Sequence, residues 1–156
     1  MKIKFIAVGK TDAEYLKQTI SVYENRLKHY VPFEIIYLSD VKNQGKLSEQ
    51  QLKIKEGEAI LDITKGEELI LLDEKGKQYS SVEFSDFLLH KTNLGLKCIT
   101  FVVGGAYGFS EQVYSKASSL LSLSKMTFTH QMIRLLFVEQ LYRAFTIIRG
   151  ESYHHE

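Results

Sequence analysis

The sequence predicts an α/β fold, a mostly parallel sheet with helices on both faces. Three observations carry that prediction. Short β-branched or apolar runs alternate with helix-length segments four times before a closing helix. The run Ile99–Val103 (ITFVV) reads as a buried strand and leads straight into the glycine turn GGAYG. From Gln131 to Ile148, apolar residues cover most of a helix's circumference, so that segment must be buried on more than one side.

Size and composition narrow the class. At 156 residues and 18.0 kDa, the chain suggests a single domain, residues 1–156, with a real hydrophobic core. Its 44% hydrophobic and 25% charged residues are ordinary for a globular protein, and one proline argues against long linkers. The lone Cys98 excludes an internal disulfide framework, fits a reducing compartment and reads as core packing. MKIKFIAVGK looks like a strand and turn rather than a leader, and no apolar run reaches membrane-spanning length. The expectation is therefore a cytoplasmic protein with no membrane partner.

The elements follow in order. Ile3–Val8 is a strand ended by Gly9, and Asp12–His29 is an amphipathic helix with Tyr15, Leu16, Ile20, Tyr23 and Leu27 on one face. Pro32 follows it, then the strand Phe33–Leu38 and a polar loop at Ser39–Lys46. Ser48 with Gln51 forms a capping box for a helix to about Ile63, interrupted by Gly57. Leu69–Leu72 is the third strand, bounded by Lys65–Gly66 and DEKGK. Ser80 with Glu83 caps a helix that ends at Asn93–Leu94–Gly95.

The chemistry-bearing residues lie mostly beyond position 98. Residues 1–98 carry 15 basic and 15 acidic groups. Residues 99–149 carry five basic groups against Glu111 and Glu139, a net +3 that suits either an anionic partner or plain solubility. Gly104, Gly105 and Gly108 follow a strand, and Ser110 is placed to cap the next segment. Such glycines let a ligand approach the backbone or make a tight turn. The spacing is neither GxGxxG nor GxxxxGK[ST], so dinucleotide and ATP sites are unsupported. Leu121–Phe128 alternates like a half-buried strand, yet it could equally wall a ligand, with Met126 as soft packing. Glu139 and Arg143 are spaced to pair on the closing helix, which leaves open an anion contact for the arginine. The tail ESYHHE has no apolar periodicity. His154 and His155 lack the companions of a metal site, and no nucleophile triad is evident.

Four stretches together carry a resemblance: GKTDAEYLKQTISVYENRL, FVVGGAYGFS, LSLSKMTFTHQMIRLLFVEQLYRAF and RGESYHHE. The chain resembles the small bacterial large-subunit ribosomal RNA methyltransferases of the SPOUT class over essentially its whole length. That resemblance implies a C-terminal deep trefoil knot, with a knotted cofactor-binding part at approximately 69–149 and a tail at 150–156. It implies S-adenosylmethionine bound by Leu72, Gly104, Leu123, Ser124, Lys125, Met126, Thr127 and Phe128. It implies methylation of N3 of a pseudouridine in 23S rRNA on the assembled ribosome, with no DNA partner. The family is homodimeric, each tail reaching toward the partner's cofactor. Arg143 and His154 are the expected catalytic residues, through orientation and electrostatics. His130, Arg134, Tyr153 and Glu156 are the expected substrate-side residues, and no metal is expected. The family commonly has proline on either side of this histidine, where Thr129 and Gln131 stand here. The competing reading is a non-catalytic dimeric ribosome- or RNA-binding module that retains the fold.

Overall fold

The computed structural model describes residues 1–155. The chain runs β1 (Lys2–Val8), α1 (Glu14–Leu27), β2 (Phe33–Leu38), α2 (Glu49–Ile63), β3 (Glu68–Gln78), α3 (Ser81–Asn93), β4 (Cys98–Val103), α4 (Glu111–Lys116), β5 (Ser119–Ser122) and α5 (Met132–Ile148). The strands form one parallel sheet in the order β2-β1-β4-β3-β5. Side-chain alternation along the strands builds a core on each face. Ile3, Phe5, Ile99 and Phe101 pack beneath α1, α3 and α5, with Phe137 lying between Phe5 and Phe101 at ring-centroid distances of 4.7 and 4.9 Å. On the other face Ile6, Val8, Leu71 and Val102 pack against Ile60 of α2 and Val113 of α4. The two-faced α/β architecture read from the alternation is therefore the observed one.

Both capping boxes form. Ser48 accepts from the Gln51 N–H and Ser80 from the Glu83 N–H, and each partner side chain returns the bond. Gly57 does not break α2, because its missing side chain is where α4 seats. A Cβ there would lie 2.5 Å from Ser110 Oγ and 2.9 Å from Val113 Cγ2.

Two elements differ from the sequence reading. β3 extends to Gln78, beyond Leu72, because the strand bulges after Leu72 and pairs again at Lys77, so that Leu121 faces both Leu72 and Lys77. At Gly76 the bulge lies directly on β5, and a Cβ would sit 2.6 Å from backbone atoms of Leu120 and Leu121. The strand expected within Leu121–Phe128 is instead the short Ser119–Ser122. The residues after it leave the sheet because β3 is already paired on its other edge to β4 and ends at Gln78.

α5 meets the expectation of burial on several sides within one chain. α1 and α3 flank it, and Phe137, Val138, Leu141 and Ala144 are fully buried. No helix among the described residues is long and apolar enough to cross a membrane.

Candidate functional site

The bulge of β3 and the C-terminal ends of β4 and β5 open into a cavity of about 690 Å³, within the range of small-ligand sites. Leu72 and Asp73 come from β3 and the backbone of residues 104–108 from the glycine turn. The irregular chain after β5 closes the remaining side. The turn is pinned by an antiparallel bridge between Gly105 and Gly108, the latter at φ +78°. Gly104 stands where a Cβ would come within 3.2–3.3 Å of Phe109 and the Gly108 backbone. Any larger side chain would crowd Phe109 and the turn that walls the cavity.

Of the residues expected at the cofactor, Leu72, Gly104, Leu123, Ser124, Met126, Thr127 and Phe128 line this cavity and Lys125 does not. The folded-back segment is shaped by its hydroxyls. Ser122 Oγ donates to the Ser124 carbonyl (2.8 Å), and Ser124 Oγ accepts from the Met126 N–H (2.9 Å). Thr127 Oγ1 donates to Glu74 Oε2 at 3.0 Å, tying the segment to the β3 bulge. Met126 is 75% exposed, so its thioether is free to fold over a ligand.

His130 lines the cavity at the entrance to α5. Burial, and then the nearby Arg134 cation, push its pKa below the usual imidazole range, which keeps the ring neutral at pH 7. Prolines are not what holds this turn. Thr129 Oγ1 accepts from the Met132 N–H at 3.1 Å. Gln131 Oε1 accepts from the Asp12 N–H and its Nε2 donates to the Lys10 carbonyl, both at 3.0 Å.

Arg134 is a correction to the sequence reading. The structure buries it to 1% exposure, where its guanidinium donates to the carbonyls of Val8 (2.7 Å) and Gly9 (3.1 Å) and to Thr11 Oγ1 (3.1 Å). It ties α5 to the end of β1 and presents no face to RNA.

Arg143, Tyr153 and His154 are brought together, but away from the cavity. Arg143 donates to Glu139 Oε1 from Nε (3.1 Å) and Nη2 (2.7 Å), and its Nη1 lies 3.4 Å from His154 Nδ1. The Tyr153 hydroxyl donates to the same carboxylate oxygen at 3.1 Å, and its ring lies under the Arg143 guanidinium and edge-on to Tyr142. Glu156 lies outside the described residues.

Sequence reasoning missed three groups at the site. The Tyr114 hydroxyl donates to Asp73, and Glu74 meets Thr127. Burial and then the Asp73 bond raise the Tyr114 pKa, so it stays a phenol. Glu56 lies beneath the glycine turn, and a Cβ on Gly105 would stand 2.8 Å from both of its carboxyl oxygens. Its position was legible, since it shares a helix face with the buried Leu52 and Ile60. Among the described residues no group of three or more His, Cys, Asp or Glu is placed to hold a metal ion.

A parallel sheet with its cavity beside an edge strand, walled by a glycine turn and a folded-back segment, defines an α/β protein with a small-ligand site at one end of its sheet. A family model described as "Predicted SPOUT methyltransferase" matches residues 1–154. The chain belongs to the SPOUT methyltransferase family. It is 57% identical over 157 residues to a Parabacteroides distasonis protein named ribosomal RNA large subunit methyltransferase H, covering 100% of both chains. It is 53% identical to the protein of the same name from Christiangramia forsetii, covering 99% of each. Among solved structures, a probable methyltransferase from Bordetella pertussis Tohama I aligns with a TM-score of 0.56 at 10% identity, over 92% of this chain and 96% of that one. The tRNA (m1G37) methyltransferase of Aquifex aeolicus also gives 0.56, at 12% identity, over 100% and 76%. These two likenesses concern the fold alone.

The family implies S-adenosylmethionine as the methyl donor. The cavity fits that group: its volume is adequate, Gly104 leaves backbone bare, Met126 is apolar and adaptable, and Asp73 and Glu74 suit a positively charged ligand.

Proposed function

We propose that this chain methylates N3 of a pseudouridine in 23S ribosomal RNA within the assembled ribosome, acting as a homodimer in the cytoplasm. The observation that carries the reading is the full-length identity to large-subunit rRNA methyltransferases, which takes in every segment lining the cavity. The knotted cofactor-binding part is assigned to approximately residues 69–149, with 150–156 as the tail.

In this reading Leu72, Gly104 and the segment 123–128 hold S-adenosylmethionine, Lys125 contributing from outside the wall. When bound, that group supplies a methyl on a sulfonium, so the protein's task is alignment rather than covalent catalysis. His130 sits at the cavity where a base would enter, and its neutral ring can accept or donate a hydrogen bond. Arg143 and His154, with Tyr153 and Glu156 of the tail, orient the RNA and favour the anion that develops as N3 loses its proton. They serve the partner's cavity, consistent with a preassembled cluster that does not line the cavity of its own chain. With a net charge of only +1, the protein has little with which to grip free RNA, so a preformed ribosomal surface is the fitting substrate.

The test is methyl transfer to ribosomes from a strain lacking the modification, with the product nucleotide mapped by mass spectrometry. The expected result is one added methyl on N3 of a single pseudouridine. A folded dimer that binds the cofactor yet transfers nothing would refute the substrate assignment. Ribosome binding without cofactor uptake would favour a non-catalytic module.

A further inference from the structure

The inference here rests on the S-adenosylmethionine reading and deepens it. Glu56 is 8% exposed, yet its carboxyl makes no hydrogen bond or ion pair among the described residues. Its oxygens keep a sliver of solvent, yet a carboxylate this enclosed with no counter-charge still carries a desolvation cost. It faces Gly105, the residue with no side chain to intervene, and Gly105 lines the cavity on its other side. The one charge that acts on it is Asp40, also an acid, and Ser110 and Val113 stand beside the neighbouring Gly57. Lys53, one turn earlier on α2, makes no ion pair with it.

The cavity's own charge has the same sign. Asp73 and Glu74 line it against a single charged base, Lys75, for a formal −1 while His130 is neutral. Both acids are held in place, Asp73 by the Tyr114 hydroxyl and the Lys75 N–H (2.8 Å), and Glu74 by Thr127.

We propose that Glu56 beneath the glycine turn, with Asp73 and Glu74 on the β3 bulge, makes the cavity selective for a cationic ligand. The missing counter-charge of Glu56 is then the bound methyl donor. S-adenosylmethionine carries a sulfonium and a net positive charge, whereas S-adenosylhomocysteine has a neutral thioether. The same carboxylates therefore hold the donor and release the product, a discrimination by charge alone between ligands of nearly the same shape. Burial, and then Asp40, hold the Glu56 carboxyl above its ordinary range, so a cation arriving beyond Gly105 pulls it toward the ionised form and drives off its proton.

The experiment is calorimetric titration of the intact protein with S-adenosylmethionine and with S-adenosylhomocysteine, for the wild type, Glu56→Gln and Asp73→Asn/Glu74→Gln. The wild type is expected to favour the donor by about tenfold or more, and each variant to lose at least about threefold of that preference. A second measurement needs no variant. Titration of the wild type at mildly acidic pH, in buffers of different ionisation enthalpy, should reveal net proton release with the donor and none with the product. Equal affinities in the wild type, or a ratio unchanged in variants whose melting curves show them folded, would overturn the inference. Failure of the wild type to bind either ligand would instead overturn the methyltransferase reading, and the inference with it.

Discussion

Replacing Arg134 by Met separates an architectural role from a substrate role. The guanidinium is 1% exposed and gives three hydrogen bonds, to the Val8 and Gly9 carbonyls and to Thr11 Oγ1. Bonds from a charged donor contribute about 1.5–3 kcal/mol each, and methionine would leave the acceptors buried and unmatched. Against this loss stands the Arg134 Nε, which is buried without a partner and already carries a penalty of about 1–3 kcal/mol that methionine removes. The balance is a destabilisation of roughly 2–8 kcal/mol, and about 3 kcal/mol, toward its lower end, already lowers Tm by about 6–12 °C for a chain of this length. Thermal unfolding followed by circular dichroism, at fixed protein concentration, measures it. Arg134→Lys should fall between, since it keeps the charge but lacks the fork that reaches both carbonyls. An Arg134→Met variant that melts with the wild type yet no longer transfers methyl groups would refute the architectural reading and return Arg134 to the RNA.

Three further outcomes follow from the geometry. Gly104→Leu should abolish S-adenosylmethionine binding in calorimetry while leaving the oligomeric state as in the wild type in analytical ultracentrifugation, because its side chain would crowd Phe109 and the turn that walls the cavity; unchanged affinity would remove the turn from the site. Gly76→Ala should destabilise the fold by about 2–4 kcal/mol in urea unfolding, since the 2.6 Å contacts are with β5 backbone that cannot rotate away; a stability within 0.5 kcal/mol of wild type would contradict the observed bulge. Glu56→Gln should raise stability at neutral pH. With the folded pKa above the unfolded one, the native state binds the extra proton, so wild-type stability declines as pH rises through that window. The variant should lose this slope in pH-dependent melting, and a slope identical to wild type would place the carboxyl in water.

The alternation of strands and helices was enough to read the sheet, because parallel strands covered on both faces leave runs of apolar residues with little ambiguity. Ser48–Gln51 and Ser80–Glu83 fixed two helix starts through bonds that are local in sequence. What stayed hidden is long-range. Nothing near Leu72 reveals that β3 resumes pairing at Lys77, because the partner that makes it resume lies about fifty residues on, at Leu121 and Ser122. The burial of Arg134, in contrast, could have been read. It shares a helix phase with Phe137, Val138 and Leu141, all fully buried, and a charge on that phase is held by the core rather than offered to a ligand. Glu56 between Leu52 and Ile60 gives the same signal. Arg143 and Glu139 were paired from spacing alone, but no local rule tells that Tyr153 and His154 fold back onto them.

The two ends of α5 frame the remaining question, which chain the tail serves. His130 lies at the N-terminal end beside the cavity, and Arg143 is most of the way to the other end. At 1.5 Å per residue the helix separates them by about 20 Å. That helix cannot bend to close the gap, because Arg134 anchors its first turns to β1 and Phe137 is wedged between Phe5 and Phe101. On the dimeric reading proposed above, a rigid rod with the cavity at one end and the Arg143–Tyr153–His154 cluster toward the other leaves it to a symmetry-related copy to present the cluster to the cavity. Mixed dimers decide between the two arrangements. Gly104→Leu leaves a protomer with a dead cavity and an intact tail, and Arg143→Ala with Tyr153→Ala leaves the reverse. If the tail acts on the partner, equal mixtures that exchange freely should recover about a quarter of wild-type transfer, since half the dimers are mixed and each carries one complete site. If each tail serves its own cavity, the mixture stays as inactive as its components, and the two-chain site is wrong.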